Sequence, residues 1–326
     1  MPSTKLVFDM KKIRNFWNNH FIPLILNLFF NTIGKFSLKI FGTEDKRLLK
    51  HNVSLCLIFK DEGRFLKEWL DFHLTIGIDH FYLYDNNSTD NYYSVIKPYI
   101  NKGIVTLIDW PYKQAQAECY KHCLETFKHE TNWIGYIDAD EFICPKYAND
   151  INDWIKDYAK YPAIRIDWLQ FGTNGLIDHD YSKNVIEQYF SCWNEFWMGK
   201  SFVNTRYEIT NWNTQYFHHH SYVKYRIFGI NMSMPAVNQW GYISPMNHSW
   251  GGGYNKVKNS NIHINHYYTK AWNVYKEKMQ RPDVYFEKNA KDLHKLLSRE
   301  MKCIDKNYTI LRFLQKMRYN NGYITL

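Results

Sequence analysis

From Val53 onward the chain alternates short apolar runs with segments of helical period, and no other feature narrows its fold so far. Val53 to Phe59 is a continuous apolar run of strand length, the pattern of a strand buried on both faces. Phe65, Trp69, Phe72 and Ile76 then recur at helical spacing, with Leu66 and Leu70 beside them, and Gly77 supplies a helix stop. His80 to Tyr84 is the next predicted strand, Tyr92 to Ile100 a short helix or turn, and Ile104 to Trp110 another strand. A helix over Gln114 to Lys128 and a strand over Trp133 to Ile137 follow. Strands alternating with helices at this spacing predict an α/β fold, a mostly parallel sheet with helices on both faces.

In such sheets ligands bind beyond the carboxyl ends of the strands. Three predicted strand ends carry the densest polar clusters of the chain: Lys60 to Arg64, Asp85 to Asp90, and Asp138 to Glu141. Past Pro145 the pattern loosens. Ala163 to Phe171 predicts a strand followed by Gly172, Thr173, Asn174 and Gly175. Residues 190–265 are rich in Trp, His, Asn and Gly without clear period and are expected to form loops around a site. Basic and apolar residues mix at helical spacing from Val284 to Arg318, which predicts a helical tail.

Aromatic residues make up 18% of the chain and the formal charge is +9, so anionic partners and stacking both enter the account. The charge is uneven: Lys5, Lys11, Lys12 and Arg14 precede an apolar stretch from Phe21 to Phe30, interrupted by Pro23 and Asn27, and Lys35 and Lys39 follow it. No stretch reaches the roughly 20 apolar residues of a spanning helix. The segment either lies on an anionic membrane surface or packs on the domain as a helix. Six scattered cysteines, of which only Cys119 and Cys123 lie close together, form no disulfide framework or zinc site and read as reduced, mostly buried thiols. A cytoplasmic location, at the cytoplasmic face of a membrane if the segment binds one, is the matching expectation.

Asp138 and Asp140 stand at the end of an apolar strand, where a period of two points both carboxylates to one side. Hard oxygen ligands so placed suit Mg or Mn, which keep open positions for phosphate oxygens. An acidic turn after a strand would look the same. The run His218, His219, His220 does not add a metal site, since neighbours in a strand face opposite ways.

Taken in order, several stretches resemble the inverting glycosyltransferases of the Rossmann-like GT-A fold, most closely glycosyltransferase family 92 and the related family 2-like group. Phe59-Lys60-Asp61-Glu62 with Arg64, Phe65, Leu66, Glu68 and Trp69 is similar to the family's Lys-Asn-Glu and Glu-Trp helix. Tyr84-Asp85-Asn86-x-Ser88-x-Asp90, Trp133 to Phe142, Trp168-x-x-Phe171-Gly172-Thr173-Asn174-Gly175 and His266-Tyr267-Tyr268-x-Lys270, with Lys278 on a following helix, complete the likeness. Asp61 stands where Asn is commoner, and Thr173-Asn174 where Ser-Ser is. The likeness divides the chain into a basic amphipathic segment over 1–50, a GT-A domain over 51–283 and a helical tail over 284–326. Within the domain, 51–145 is the nucleotide-binding half and 146–283 the acceptor half.

What the resemblance implies is a UDP-linked sugar donor, with galactose one candidate sugar, a glycan or lipid-linked acceptor such as those of polysaccharide or lipopolysaccharide synthesis, and Mn2+ or Mg2+. Lys60, Glu62 and Arg64 would line the nucleotide pocket, Asp85 would bind uracil or ribose, and Asn87 would shape the turn beside it. Gln116 would reach ribose or the donor sugar, and Lys270 would offset phosphate charge from a helical face shared with His266. Asp138 would face ribose and metal, Asp140 would bind the metal, and His266 would complete its ligands. Inversion needs a carboxylate base; Asp178 is nominated, with Asp180 and Glu195 behind it. Trp168, Trp193, Trp197, Trp212, Trp240 and Trp250 are divided between core packing and sugar platforms.

Two other classes fit less well. A nucleic-acid binder would carry basic residues interleaved with aromatics along one groove, whereas the strand ends here are acidic. A metal-dependent phosphotransferase or hydrolase would share the acidic strand end, but no phosphate-cradling Gly-rich loop with its Lys-Ser/Thr pair is found.

Overall fold

The computed structural model describes residues 22–213, 216–243, 260–280 and 292–322. The basic residues Lys5 to Arg14, Trp250 and the first part of the expected tail, 284–291, lie outside them.

The predicted alternation is present. Strands β1 (His51–Phe59), β2 (His80–Asp85), β3 (Val105–Asp109) and β4 (Thr131–Tyr136) pair in parallel in the order β3-β2-β1-β4. β1 is central in that run, and all but one of its residues are buried, which is why it reads as an unbroken apolar run. Counting the helices in chain order, α1 (Ile22–Phe29) continues through a π-turn, Phe30–Gly34, into α2 (Lys35–Phe41). Helix α3 (Gly63–Thr75) joins β1 to β2, α4 (Tyr92–Asn101) joins β2 to β3, and α5 (Gln116–Phe127) joins β3 to β4. Gly77, at φ +90, ends the α3 region as expected, and an added Cβ would meet the Asp150 carboxylate at 2.2 Å.

Beyond β4 the sheet continues as β4-β7-β6-β11-β5, built from β5 (Glu141–Pro145), β6 (Ala163–Phe171), β7 (Ser191–Asn204) and β11 (Ile262–His266). This half is mixed: β7 runs antiparallel to both β4 and β6, and β11 is parallel to β6 and antiparallel to β5. The α/β, GT-A-type architecture expected from the sequence is therefore the one found, with its parallel character concentrated in the first half.

The described residues within 190–265 are not the loop region that their composition predicts. They hold the long strand β7, a hairpin of β8 (Tyr222–Ile227) and β9 (Ile230–Pro235), the short β10 (Val237–Asn238), and β11. Period two is hidden in β7 because its register against β6 shifts between Asp167 and Trp168 and again between Leu169 and Phe171, with Met198 at φ +51. The three histidines sit in a turn rather than a strand, with His219 Nδ1 2.7 Å from the Gly199 carbonyl.

The tail is helical, as expected, through α9 (Leu293–Glu300), a 3-10 turn and α10 (Leu314–Asn320). It also adds a two-residue strand, β12 (Asp305–Lys306), antiparallel to β7. Five of the cysteines are buried, Cys303 is partly so, and all are free.

Candidate active site at the end of β4

The turn after β4 is held by the helix in front of it. Trp69, fully buried on α3, donates its indole N–H to the carbonyls of Asp138 at 3.1 Å and Glu141 at 3.0 Å. Glu141 Oε2 accepts from the Asp138 amide at 2.9 Å, and the Glu141 amide returns to the Asp138 carbonyl at 3.1 Å. This closed turn corrects one expectation. Asp138 and Asp140 do not lie on one face of an extended strand, because β4 ends at Tyr136 and the turn sends their carboxylates to different partners.

Asp138 faces β7 and α5. Its Oδ2 is 2.8 Å from Lys200 Nζ, and its Oδ1 lies 3.3 Å from the Tyr120 hydroxyl and 3.5 Å from Gln116 Nε2. Lys200 is fully buried, with Glu141 Oε1 3.7 Å away. Burial disfavours its charge, but Asp138 and Glu141 outweigh that and raise its pKa. Burial drives the Glu141 carboxyl well above its usual range, only partly offset by Lys200.

Asp140 faces the opposite way. Lys278 Nζ, from α8 (Trp272–Gln280), contacts its Oδ2 at 2.7 Å, and His266 Nε2 stands 3.6 Å from its Oδ1. Burial pushes the Asp140 carboxyl up, yet the Lys278 ammonium outweighs it, helped by His266 and Lys270, and holds it well below the usual carboxylate range. Lys270 is buried in the turn between β11 and α8 at φ +51, with its ammonium 4.5 Å from the Phe65 ring centre. It does not share a helical face with His266, which ends β11; the two are joined by a turn. Burial, reinforced by Lys278, lowers Lys270 to about 8.

Behind His266 runs a chain of donors. Arg299 of α9 donates to Gln170 Oε1 at 2.9 Å, and Gln170 Nε2 is 2.9 Å from His266 Nδ1. A guanidinium only donates, so the amide oxygen must face Arg299 and the amide NH2 must face Nδ1. Nδ1 therefore accepts, and the neutral imidazole carries its proton on Nε2, toward Asp140.

The ligand-bearing atoms of Asp140, Glu141 and His266 all lie within 4.8 Å of one another. Asp140 and an imidazole suit Mn2+, and Glu141, its pKa driven well above the usual range and its Oε2 accepting the Asp138 amide, would join them on losing its proton. Asp138 is not in that set, being turned to Lys200. For His266 to offer a lone pair at Nε2, the Gln170 amide would have to reverse.

The other nominated residues spread around these carboxylates. Asp85 is buried, its oxygens accepting from the Ser88 amide at 3.0 Å and the Tyr92 hydroxyl at 3.0 Å. Asn87, at φ +56, donates to the Pro111 carbonyl at 3.2 Å and shapes the turn. Asp61, in the turn after β1, ties to the turn after β2, accepting from the Thr89 amide at 2.6 Å. Arg64 reaches the Tyr181 hydroxyl at 2.8 Å and pairs with Glu277 of α8. Lys60 and Glu62 flank that start of α3, partly buried. Asp178 is exposed on the loop after Gly175, whose Ile177 carbonyl accepts from the Asn273 amide at 2.9 Å, so the loop rests on the start of α8. Asp180 is exposed and tied to Ser182 and Lys183, and Glu195 is exposed on β7.

Lys200, Gln170 and Arg299 were not singled out from the sequence. For Lys200 a signal existed: a lone cation between Gly199 and Ser201 within a run that is otherwise buried strand.

A family model described as glycosyltransferase family 92 matches residues 51–301. The chain belongs to glycosyltransferase family 92. The match runs past 283 and takes in Arg299, so the start of the tail lies inside the likeness rather than outside it. A glycosyltransferase family 92 protein of Ricinus communis is 33% identical over 131 residues, 39% of this chain and 24% of that protein. One of Oryza sativa subsp. japonica is 30% identical over 129 residues, 38% and 22% of the two chains. Galactan beta-1,4-galactosyltransferase GALS2 of Arabidopsis thaliana is 25% identical over 126 residues, 35% and 24%. The chain thus spans about a quarter of the length of these relatives. Among solved structures, Staphylococcus aureus TarS 1–349 with UDP-GlcNAc aligns at TM-score 0.31 and 16% identity over 40% of this chain and 37% of that one.

Proposed function

We propose that the protein is a metal-dependent, inverting glycosyltransferase that moves a sugar, galactose being the first candidate, from a UDP-linked donor to a glycan or lipid-linked acceptor. The observation that carries this is Asp140, a buried carboxylate kept ionised at the C-terminal end of β4, with Lys278 and His266 beside it and Lys270 close enough to lower its pKa. A diphosphate reaching this point would meet Lys278, Lys270 and Arg64 from the α3 and α8 side, while Gln116, Asp85 and Asn87 border the approach from the earlier strand ends. A divalent ion held by Asp140 and Glu141, with His266 joining if the Gln170 amide reverses and Arg299 gives up its bond to it, would neutralise charge on the departing nucleotide. Membership of family 92 supports the reaction class.

The chain's own contribution is electrostatic and positional. Asp140 and its cations fix where diphosphate charge is tolerated, and Trp69 fixes Asp140. Asp178 is assigned the base, taking the acceptor hydroxyl proton, because its loop rests on α8, which carries Lys278. Trp197, 39% exposed on β7, is the assigned platform for an acceptor ring, whereas Trp168 and Trp193 are buried.

Turnover of a panel of UDP-sugars with added Mn2+ tests this. Metal-dependent release of UDP from one donor, lost in Asp140→Asn, is expected; release unaffected by chelator and by Asp140→Asn would refute it. Asp178→Asn is expected to lower kcat by two orders of magnitude or more with little change in donor KM, and unchanged turnover would remove Asp178 from the role.

A further inference from the structure

The helical stretch Ile22–Phe41 touches the domain with one stripe and shows solvent an apolar face with the other. Asn27, Phe30, Gly34 and Ser37, three or four residues apart, are buried, as is Leu38 beside them. Asn31 fixes the contact, donating to the Ile243 carbonyl at 2.6 Å and accepting from the Ile243 amide at 2.9 Å. On the outer face Ile25, Leu28, Ile33, Phe36 and Ile40 are each between 43% and 59% exposed. A contiguous apolar patch of this kind on a folded protein marks an interaction surface.

The β8–β9 hairpin extends the patch. Phe228 is 50% and Ile230 68% exposed, and Phe228 lies 6.3 Å from Phe36 and 5.6 Å from Phe41 between ring centres. Phe228 and Gly229 form the hairpin tip at φ +47 and +86. Asn is the residue usually found at the first of these positions, so the backbone tolerates a strained aromatic to present a ring at the tip. Between Phe41 and the hairpin an open groove of about 690 Å³ is lined by Tyr207, Lys224, Tyr225, Arg226 and Phe228.

Charge selects the occupant. Residues 22–41 and the hairpin contain Lys35, Lys39, Lys224 and Arg226 and no acidic residue, though Lys224 also meets Glu208 at 3.2 Å. The sequence before the helix adds Lys5, Lys11, Lys12 and Arg14 against one Asp. Another protein would match an apolar face with its own rim, whereas an apolar face whose own charged residues are all cations, even with Glu208 beside Lys224 and Glu44 and Asp45 just past Phe41, fits the boundary of an anionic bilayer.

We propose that this composite face docks on an anionic phospholipid membrane, with helix 22–41 lying in the interface, Phe36, Phe228 and Ile230 inserted, and Lys224 and Arg226 meeting a lipid phosphate at the groove. Against the expectation that no stretch is long enough to span, the helical stretch Leu24–Phe41 would by length and composition alone suffice to cross a bilayer. Crossing would strip Asn27 and Asn31 from the domain and place both in hydrocarbon, a cost of several kcal/mol per unsatisfied group. The helix therefore lies on the membrane rather than through it. The proposal does not depend on the transferase assignment, since UDP binding is read separately.

Flotation of the full chain with phosphatidylcholine vesicles, with and without 30% phosphatidylglycerol, tests it. Binding is expected at least tenfold stronger to the anionic vesicles and to fall with salt. Phe36→Asp with Phe228→Asp is expected to lower binding at least tenfold while leaving circular dichroism and UDP binding unchanged. Lys224→Gln with Arg226→Gln should remove much of the preference for anionic lipid, and alkaline carbonate should release the bound protein. Equal binding to both vesicle types, retention after carbonate, binding carried wholly by residues 1–21, or a concentration-dependent dimer abolished by Phe36→Asp without vesicle binding would each overturn it.

Discussion

His266 shows how much of a site depends on atoms that a sequence cannot rank. Its place in the His-Tyr-Tyr-x-Lys stretch could be read, but its tautomer is set by Gln170, 96 positions away, and Gln170 is oriented in turn by Arg299, 129 positions from it, in pairings that only the fold creates. Replacing Gln170 by Glu would put a carboxylate where the amide NH2 now stands, so that Nδ1–H donates and Nε2 is freed. Gln170→Glu is therefore expected to tighten Mn2+ about tenfold, the lower end of what such supporting partners contribute, as measured by Mn2+ paramagnetic resonance. Weaker binding would show that Nε2 is not a ligand. Lys278 was legible as part of a motif, yet its contact with Asp140 was not, because it follows from the angle at which α8 leaves β11.

Glu68, one residue before Trp69 on α3, links pH to stability. Its carboxylate accepts the amides of Val185 at 2.7 Å and Ile186 at 3.1 Å, capping the short helix Val185–Gln188, while burial raises its pKa from an ordinary 4.5 to about 7. Between those values the folded chain holds a proton that the unfolded chain has released. Glu68 therefore contributes a stability that rises as pH falls from about 7 toward 4.5 and is flat above 7. Thermal melts across that window should show this slope, and Glu68→Gln should flatten it; an unchanged slope would place the proton elsewhere.

Among the elements, β1 to β4 and the helices between them were legible because burial on both faces leaves continuous apolar runs, and helices of 10 to 13 residues leave a clear period. The strands after 190 were not. β7 is bulged against β6, β9 exposes Ile230, Asn231 and Ser233 in one run before the buried Met234 and Pro235, and β8 alternates over six residues only, too short a stretch to stand out. The Glu-Trp pair of α3 was legible as a motif and proves structural on both counts, Glu68 as a cap and Trp69 as the tie on the Asp138–Glu141 turn. Trp69→Phe keeps most of the packing but removes the indole donor shared by the Asp138 and Glu141 carbonyls, leaving Asp138 the Glu141 amide alone. A loss of about 1–3 kcal/mol in urea unfolding is expected, together with weaker Mn2+ binding. Loss of stability with unchanged metal affinity would mean that the turn does not need Trp69 to hold Asp140.

For the molecule as a whole, the sheet runs without a break from β3 to β5, so the two expected halves share one core, and the tail belongs to it. Glu300 accepts from the Thr173 amide at 2.8 Å, Arg299 reaches Gln170, and Arg318 pairs with Glu187. Calorimetry should accordingly show one cooperative unfolding transition for the region from β1 through α10, and a chain ended at residue 291 should unfold at markedly lower temperature. A separate transition for the tail would contradict this integration.

The proposed transfer requires the ionised carboxylate at the end of β4 to recruit a metal that binds a nucleoside diphosphate. Titration calorimetry of UDP with and without Mn2+, on the unaltered chain and on Asp140→Ala, measures this step. UDP binding is expected to need Mn2+ and to be lost in the variant; binding of equal strength without metal, or in Asp140→Ala, would refute the metal-dependent mechanism.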